Sequence, residues 1–598
     1  VTSLLLLLAF FQPPEDIRAK MLDLIGGLPT ERTALNARIT GAFDRPGYRV
    51  EKVIFDSLPG FHVTADLYIP TEGQGPFPAI LGVAGHSDNG KASATYQHAW
   101  ISFARRGYVV LAYDPPGQGE RIEYFDPDLG RSRLSPGVPE HISAGLQCLL
   151  TGKPIARYFI WDGIRAFDYL TTRSEVDPTR IAVAGNSGGG TQAAYLAVFE
   201  PRLAAVVSSC YITRWKELLE GPGPQDAEQI FPRFLSSNLD FIDFIRAFAP
   251  KPFLVTSAVR DFFPIAGARA TAEAAPNASF FEYDDTHGWS QPRREAAYSF
   301  LDKHLKNSNA DAHEAPLTTE PESALWATPT GHLANSIGTE SVFTLNRAIA
   351  REMYPRRRAL SLKDPAEFRA LIARRLGLGA LTPTSYPARQ GKPAILAANL
   401  PEADLADLRQ AGFIVRVVDL PKFGPGRSSY SGAYQAAARE WLYNRTLLGW
   451  RVAEMLSAFR QLAADPQVDP SQIAIWGRGN SGVTALLAAA LEPQAAKVMA
   501  EDTVTSFYAI TQSLIHENTA EIIVPGVLED FDLPDLVNLI APRPLWLADP
   551  RTATGARSLA PEYNRNWVHL HERPEGWPAT KAFFVFLTAP TFPAKPGA

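Results

Sequence analysis

The sequence predicts an α/β architecture built twice: two tandem domains, each a mostly parallel sheet with helices on both faces. Three observations predict it. Short apolar runs alternate with segments of helical periodicity. One run passes through a glycine-rich turn straight into a small-residue helix. And DPTRIAVAGNSGGGTQAAYLAVFEP (Asp177–Pro201) returns 292 residues later as DPSQIAIWGRGNSGVTALLAAALEP (Asp469–Pro493), while APKPFLV from Ala249 and APRPLWL from Ala541 keep the same 292 spacing.

In the first copy the expected strands are Pro78–Ala84, Tyr108–Tyr113, Arg180–Ala184, Ala204–Ser208, Phe253–Ala258 and Ala278–Tyr283. They are near-continuous apolar runs, as strands covered on both faces are. His98–Arg106, Phe159–Thr172 and Gly189–Phe199 read as the intervening helices. The second copy echoes these signals: FPAIL from Phe77 answers KPAIL from Lys392, and HGW at His287 answers EGW at Glu575. The domains expected are 13–306 and 341–589. Residues 307–340, rich in Ala, Pro, Thr, Glu and Asn, read as a linker or surface wrap, and 590–598 as a disordered tail.

Of 598 residues, 46% are hydrophobic and 20% charged, ordinary globular values with ample material for two cores. A net charge of −5 gives no basic footprint, so nucleic acid is not an expected partner. Cys148 and Cys210 sit in no Cys/His cluster, and neither a metal nor an organic cofactor is implied. Whether they pair is open; the frequency with which Cys is buried favours two buried thiols. The apolar run Leu4–Phe11 is too short to cross a bilayer, so no stable membrane insertion is expected. Residues 1–12 match the apolar region of a secretory signal, although no basic residue precedes the run and no A-x-A follows. Read as a signal they mean export to the periplasm or beyond; otherwise the chain is cytoplasmic.

Gly185-Asn186-Ser187-Gly188-Gly189 fits G-x-S-x-G between a strand and a helix, the nucleophile elbow of an α/β-hydrolase. Glycines permit the strained turn that exposes the serine oxygen. Such a serine needs a base and an orienting acid, in chain order Ser, Asp, His. Asp261 lies just past the strand Phe253–Ala258, and His287 on a loop beyond Ala278–Tyr283. The oxyanion hole is assigned to the backbone N–H of Gly188 and of Ser87, in the early loop Gly85-His86-Ser87-Asp88. His86 either faces the site or braces that loop. In the second copy Ser187 aligns with Gly479, Asp261 with Ala553 or Thr552, His287 with Glu575, and the Gly-His-Ser-Asp loop with Asn399-Leu400-Pro401. Joint loss of these positions on a retained framework reads as a degenerate, inactive domain. Ser481 falls two residues past the nucleophile position.

With this triad, the tandem layout and Asp114-Pro-Pro-Gly-Gln-Gly-Glu-Arg121, the chain resembles bacterial acetyl xylan esterase-like proteins of the dienelactone hydrolase-like branch of α/β-hydrolases. The stretches Leu35–Pro70 and Trp161–Leu170 carry the same resemblance. It implies a serine esterase in which Ser187, Asp261 and His287 remove acetyl groups from a small ester or acetylated oligosaccharide. The chain departs from the best-known carbohydrate deacetylases in having Pro116-Gly117-Gln118 for Arg-Gly-Gln and His287-Gly288 for His-Glu. Substrate walls are sought at His86, Gln118, Arg121, Tyr211 and Trp289, each equally explained by packing or ion pairing. Two rivals stand beside the esterase. One is a serine peptidase of the prolyl-oligopeptidase kind, although the stretch before Pro78 is too short for a propeller. The other is a non-catalytic carbohydrate-binding or scaffold protein.

Overall fold

The computed structural model describes residues 13–360, 364–380, 385–420, 432–564, 566, 568–571, 577 and 581. The N-terminal run 1–12, the tail 590–598 and Glu575 lie outside the described residues. The chain divides into two compact units, Val1–Gly145 with Pro154–Thr344, and Leu146–Lys153 with Leu345–Ala598. Cys148 and Cys210 are buried and form no disulfide. Among the described residues no helix is long and apolar enough to cross a membrane.

The first unit is built on nine strands: β1 (Arg38–Arg45), β2 (Tyr48–Leu58), β3 (Phe61–Pro70), β4 (Phe77–Val83), β5 (Val109–Tyr113), β6 (Val176–Asn186), β7 (Ala205–Ser209), β8 (Phe253–Arg260) and β9 (Ala278–Thr286). Their order is β1-β2-β3-β5-β4-β6-β7-β8-β9. From β5 onward all pairs are parallel, whereas β1, β2 and β3 form an antiparallel meander whose last strand pairs with β5. The meander is absent from the sequence-based expectation, yet its signals are present. Pro46-Gly47 and Pro59-Gly60 separate the strands, and both glycines have positive φ, 87° and 72°, as a tight turn with Pro followed by Gly requires.

Helices cover both faces. On one, Trp100, Phe103, Tyr298 and Leu301 from helices Ala94–Arg105 and Gln291–Lys306 pack on Ile80, Val110, Ala182 and Val207. Helices Ala156–Thr171 and Gly188–Phe199 pack together against β6 on the other. The segment after Lys306 is held to the first unit. Glu314 pairs with Arg294 at 2.5 Å, the N–H of Glu340 donates to the Gly60 carbonyl, and the N–H groups of Ala327 and Thr328 donate to the Glu120 carboxylate at 2.7 and 2.8 Å. Glu120 also holds the buried ammonium of Lys91 at 2.7 Å, so this wrap and the loop after β4 share one anchor.

The second unit has a six-stranded sheet: β10 (Lys392–Ala398), β11 (Ile414–Val417), β12 (Val468–Arg478), β13 (Lys497–Glu501), β14 (Leu545–Ala548) and β15 (His569–His571), in the order β11-β10-β12-β13-β14-β15. Every pair is parallel. Helix Asn480–Leu491 follows β12 as Gly188–Phe199 follows β6.

The contact that sets the first unit's functional end is the close approach of helix Gly188–Phe199 to β4. A Cβ on Gly189 would lie 2.0 Å from the Val83 carbonyl oxygen, backbone against backbone. Gly189→Ala should therefore destabilise the first unit by about 3 kcal/mol or more, beyond ordinary overpacking because neither side can yield. Gly379→Ala, with no neighbouring atom of the described residues within 4 Å of its Cβ, serves as the control. Urea unfolding followed by circular dichroism checks this; equal midpoints for the two variants would contradict it.

Candidate active site

The site is assembled at the carboxyl ends of the parallel strands, where open α/β sheets place their ligands. β6 ends at Asn186 and helix Gly188–Phe199 begins at Gly188, leaving Ser187 alone at the junction with φ 59° and ψ −123°. That backbone conformation is costly for a residue with a Cβ. It is held by the Ser187 N–H donating to the Ser209 carbonyl at 2.9 Å and the Thr191 N–H donating to the Ser187 carbonyl at 2.9 Å.

Ser187 Oγ lies 2.8 Å from His287 Nε2, and His287 Nδ1 lies 2.8 Å from Asp261 Oδ1. The three residues come from the ends of β6, β8 and β9, so the parallel register aligns them. The Asp261 side chain is 2% exposed and that of His287 26%, a buried acid behind a reachable imidazole. The Phe262 ring sits 4.3 Å from the His287 ring and is itself exposed. Arg293 locks the loop that carries His287. It is fully buried and donates to Asp285 Oδ2 at 3.2 Å, the Thr286 carbonyl at 3.3 Å, Ser209 Oγ at 3.2 Å and Cys210 Sγ at 2.6 Å. Burial pushes the Cys210 thiol up to about 12, so beside Asp261 it stays protonated. Sequence reasoning singled out neither Arg293 nor a local role for Cys210. The only signal for them is adjacency to motif residues, which becomes contact after folding.

The loop after β4 lies against the serine. A Cβ on Gly85 would be 2.3 Å from the Asn186 carbonyl oxygen and 3.0 Å from Ser187 Cβ. Among the described residues the N–H groups of Gly188 and Ser87 donate to no backbone carbonyl. His86 turns toward the acidic side chains of Asp226 and Glu228. Burial pulls its imidazole down, but Glu228 and Asp226 outweigh that and carry it up to about 10.

The other residues considered as substrate walls are largely spent on the scaffold. Gln118 is buried and donates to the carbonyls of Gly85 at 2.8 Å and Ser87 at 3.2 Å, bracing the loop. Arg121 is buried between the Asp114 carbonyl at 2.9 Å and Asp162 Oδ2 at 2.6 Å, with its guanidinium over the Phe61 ring. Tyr211 packs among Phe241, Phe263 and Tyr195. Trp289 stacks edge-on against Trp100 in the core and, with His98, Asp285, His287 and Arg293, borders a cavity of about 450 Å³.

In the second unit the corresponding turn carries Gly479, with φ 62° and ψ −135°, and its N–H donates to the Glu501 carbonyl at 2.9 Å. The backbone repeats while the hydroxyl is missing. Ala553 is buried, and Ser481 is buried in the first turn of the following helix.

Residues 35–221 match the family model described as acetyl xylan esterase (AXE1). The first unit has a mostly parallel α/β sheet covered by helices, and its residues 35–221 are similar to that family. A Bacillus subtilis (strain 168) protein named "Putative hydrolase YtaP" is 30% identical over 205 residues, 32% of this chain and 62% of its own length. The 2,6-dihydropseudooxynicotine hydrolase of Paenarthrobacter nicotinovorans is 29% identical over 163 residues, 27% of this chain and 35% of its own. The chain thus spans less than two thirds of the length of either curated relative. Among solved structures, the methylesterase BT1017 is similar with a TM-score of 0.44 and 21% identity, over 58% of this chain and 76% of that one. Acetyl xylan esterase 1 of Thermoanaerobacterium sp. JW/SL YS485 is similar with a TM-score of 0.37 and 18% identity, over 48% of this chain and 92% of that one.

The two turns make strain measurable. Ser187→Gly should stabilise the first unit by about 1 kcal/mol relative to Ser187→Ala, as relief of roughly 1–3 kcal/mol of backbone strain exceeds the entropy cost of glycine. Gly479→Ala should destabilise the second unit in turn. Denaturation midpoints read both; a Ser187→Gly variant no more stable than Ser187→Ala would contradict the strain.

Proposed function

We propose that the first unit, residues 13–306 with the wrap that follows, is a carboxylic ester hydrolase that works through an acyl-enzyme on Ser187 and removes acetyl groups from carbohydrate. The observation that carries this reading is the unbroken line Ser187 Oγ–His287 Nε2–His287 Nδ1–Asp261 Oδ1, with hydrogen-bond distances of 2.8 Å at both joints. Asp261 accepts a hydrogen bond from the Nδ1–H, which fixes the tautomer that leaves Nε2 as a base. Ser187 Oγ attacks the ester carbonyl carbon as its proton passes to Nε2. The carbonyl oxygen gathers negative charge against the N–H groups of Gly188 and Ser87 and the amino end of helix Gly188–Phe199. Collapse expels the alcohol, which takes the proton from Nε2. Water, deprotonated by the same nitrogen, then attacks the acyl-enzyme carbonyl; the bond to Ser187 Oγ breaks, Oγ takes the proton back from Nε2, and the acid is released.

The sugar side of the substrate rests on the acetyl xylan esterase match over residues 35–221. The second domain, 341–589, is read as a degenerate hydrolase without catalysis, because Gly479 offers no hydroxyl at its elbow. Export through the apolar run Leu4–Phe11 completes the reading.

Hydrolysis of p-nitrophenyl acetate should fall by about 10⁴–10⁶ in turnover in Ser187→Ala, with the residual rate insensitive to Ser481→Ala. An unchanged rate in Ser187→Ala would remove the nucleophile from the account. Release of acetate from acetylated xylo-oligosaccharides then tests the substrate class.

A further inference from the structure

Beside the serine, the first unit gathers four side chains from three separate places in the sequence. His86 is on the loop after β4, His141 on helix Val138–Leu150, and Asp226 and Glu228 on the segment around the turn Ala227–Gln229. One ligand-type atom from each lies within 4.8 Å of all the others. His141, Asp226 and Glu228 are at most 1% exposed, and the His86 side chain is 22% exposed. The distances are 2.6 Å for His141 Nδ1 to Asp226 Oδ2, 2.8 Å for His86 Nε2 to Asp226 Oδ2, and 3.2 Å for His86 Nε2 to Glu228 Oε1.

Hydrogen-bond chemistry around these atoms is incomplete. His141 Nε2 lies 2.8 Å from the Pro116 carbonyl oxygen, which can only accept, so that nitrogen carries the proton. His141 Nδ1 lies 2.6 Å from Asp226 Oδ2, a hydrogen bond when that nitrogen is protonated too and a free lone pair once that proton leaves. His86 Nε2 is close to two carboxylate oxygens yet makes a properly directed hydrogen bond to neither, and Glu228 Oε1, fully buried, accepts none. A proton is directional and satisfies one such contact. A cation in the middle satisfies all four.

We infer that His86, His141, Asp226 and Glu228 form a binding site for one divalent transition-metal ion of the zinc class. Two imidazole nitrogens and two carboxylate oxygens are a ligand set such ions accept, and the two carboxylates balance the charge. The outer atoms are already fixed, as metal ligands require: His141 Nε2 on the Pro116 carbonyl, and Asp226 Oδ1 on the Ala227 N–H at 2.6 Å. With metal–ligand bonds of about 2.0–2.2 Å, tetrahedral donors stand about 3.4 Å apart, so Asp226 Oδ2 moves outward by about half an ångström on binding. A Cβ on Gly188 would lie 3.1 Å from both Glu228 Oε1 and His86 Cε1, which puts the cluster directly against the elbow. The ion would pin His86, and with it Ser87, to the elbow as a structural clamp.

The test uses the full chain without a polyhistidine tag, stripped with dipicolinate and titrated with zinc chloride by calorimetry. Metal is counted by mass spectrometry after gel filtration. One zinc per chain is expected, with affinity weakened by about 100-fold or more in Asp226→Asn and in Glu228→Gln and unchanged in Ser187→Ala, whatever becomes of the esterase. Failure of wild-type protein to retain stoichiometric zinc, or equal retention by both variants, overturns the site. Should the variants fail to fold, cobalt chloride added to stripped wild type decides: visible absorption of four-coordinate cobalt is expected, and its absence overturns the proposal.

Discussion

A residue with a side chain does not settle at φ 59° and ψ −123° unless its surroundings leave no alternative, and Ser187 is held there from both sides. Its N–H is fixed by the Ser209 carbonyl, its carbonyl by the Thr191 N–H, and the helix behind it is pressed so close to β4 that Gly189 has no room for a Cβ. Much else at the site is arranged around this turn. The parallel register brings the ends of β8 and β9 level with it, placing Asp261 and His287 in line with the hydroxyl. The loop after β4 must pass against it, which is why Gly85 also lacks room for a side chain. Arg293 then ties the His287 loop to Ser209 and Cys210, the chain just beyond the carbonyl that holds the serine.

The second unit shows what the turn is without its chemistry. Gly479 adopts nearly the same backbone angles and accepts the same kind of support, its N–H donating to the Glu501 carbonyl. Glycine pays no steric penalty there, so the same strand-to-helix turn forms without a serine. Strain at Ser187 is therefore not needed for the sheet-to-helix turn itself; it accompanies the exposed hydroxyl.

How much of this is legible in the sequence depends on how local its cause is. The parallel strands and the elbow helix announce themselves as apolar runs and a glycine-rich turn, and each observed strand begins or ends within a few residues of expectation. The widest difference is at β6, which starts at Val176 rather than Arg180 because Phe77 of β4 pairs with Val176 ahead of the apolar run. The meander β1–β3 is missed because its strands alternate apolar and polar only irregularly, although the two Pro-Gly turns mark it. Ser187, Asp261 and His287 are legible because each follows a strand whose position is itself predictable. Gln118 and Arg121 are equally visible as motif residues, but which way their side chains face depends on the carbonyls of Gly85 and Ser87 and on Asp162, contacts distant in sequence. The grouping of His86 and His141 with Asp226 and Glu228 leaves no spacing signature at all, because a loop, a helix and a short turn distant in sequence meet to make it.

The central claim is that one serine in the chain, Ser187, is an activated nucleophile. Incubation with diethyl p-nitrophenyl phosphate tests it most directly, since attack forms an O–P bond on the serine, releases p-nitrophenol and leaves a mass tag. Peptide mapping should find the diethylphosphoryl group on Ser187 alone, with labelling abolished in His287→Ala. Labelling at Ser481, or none at Ser187, would contradict the account.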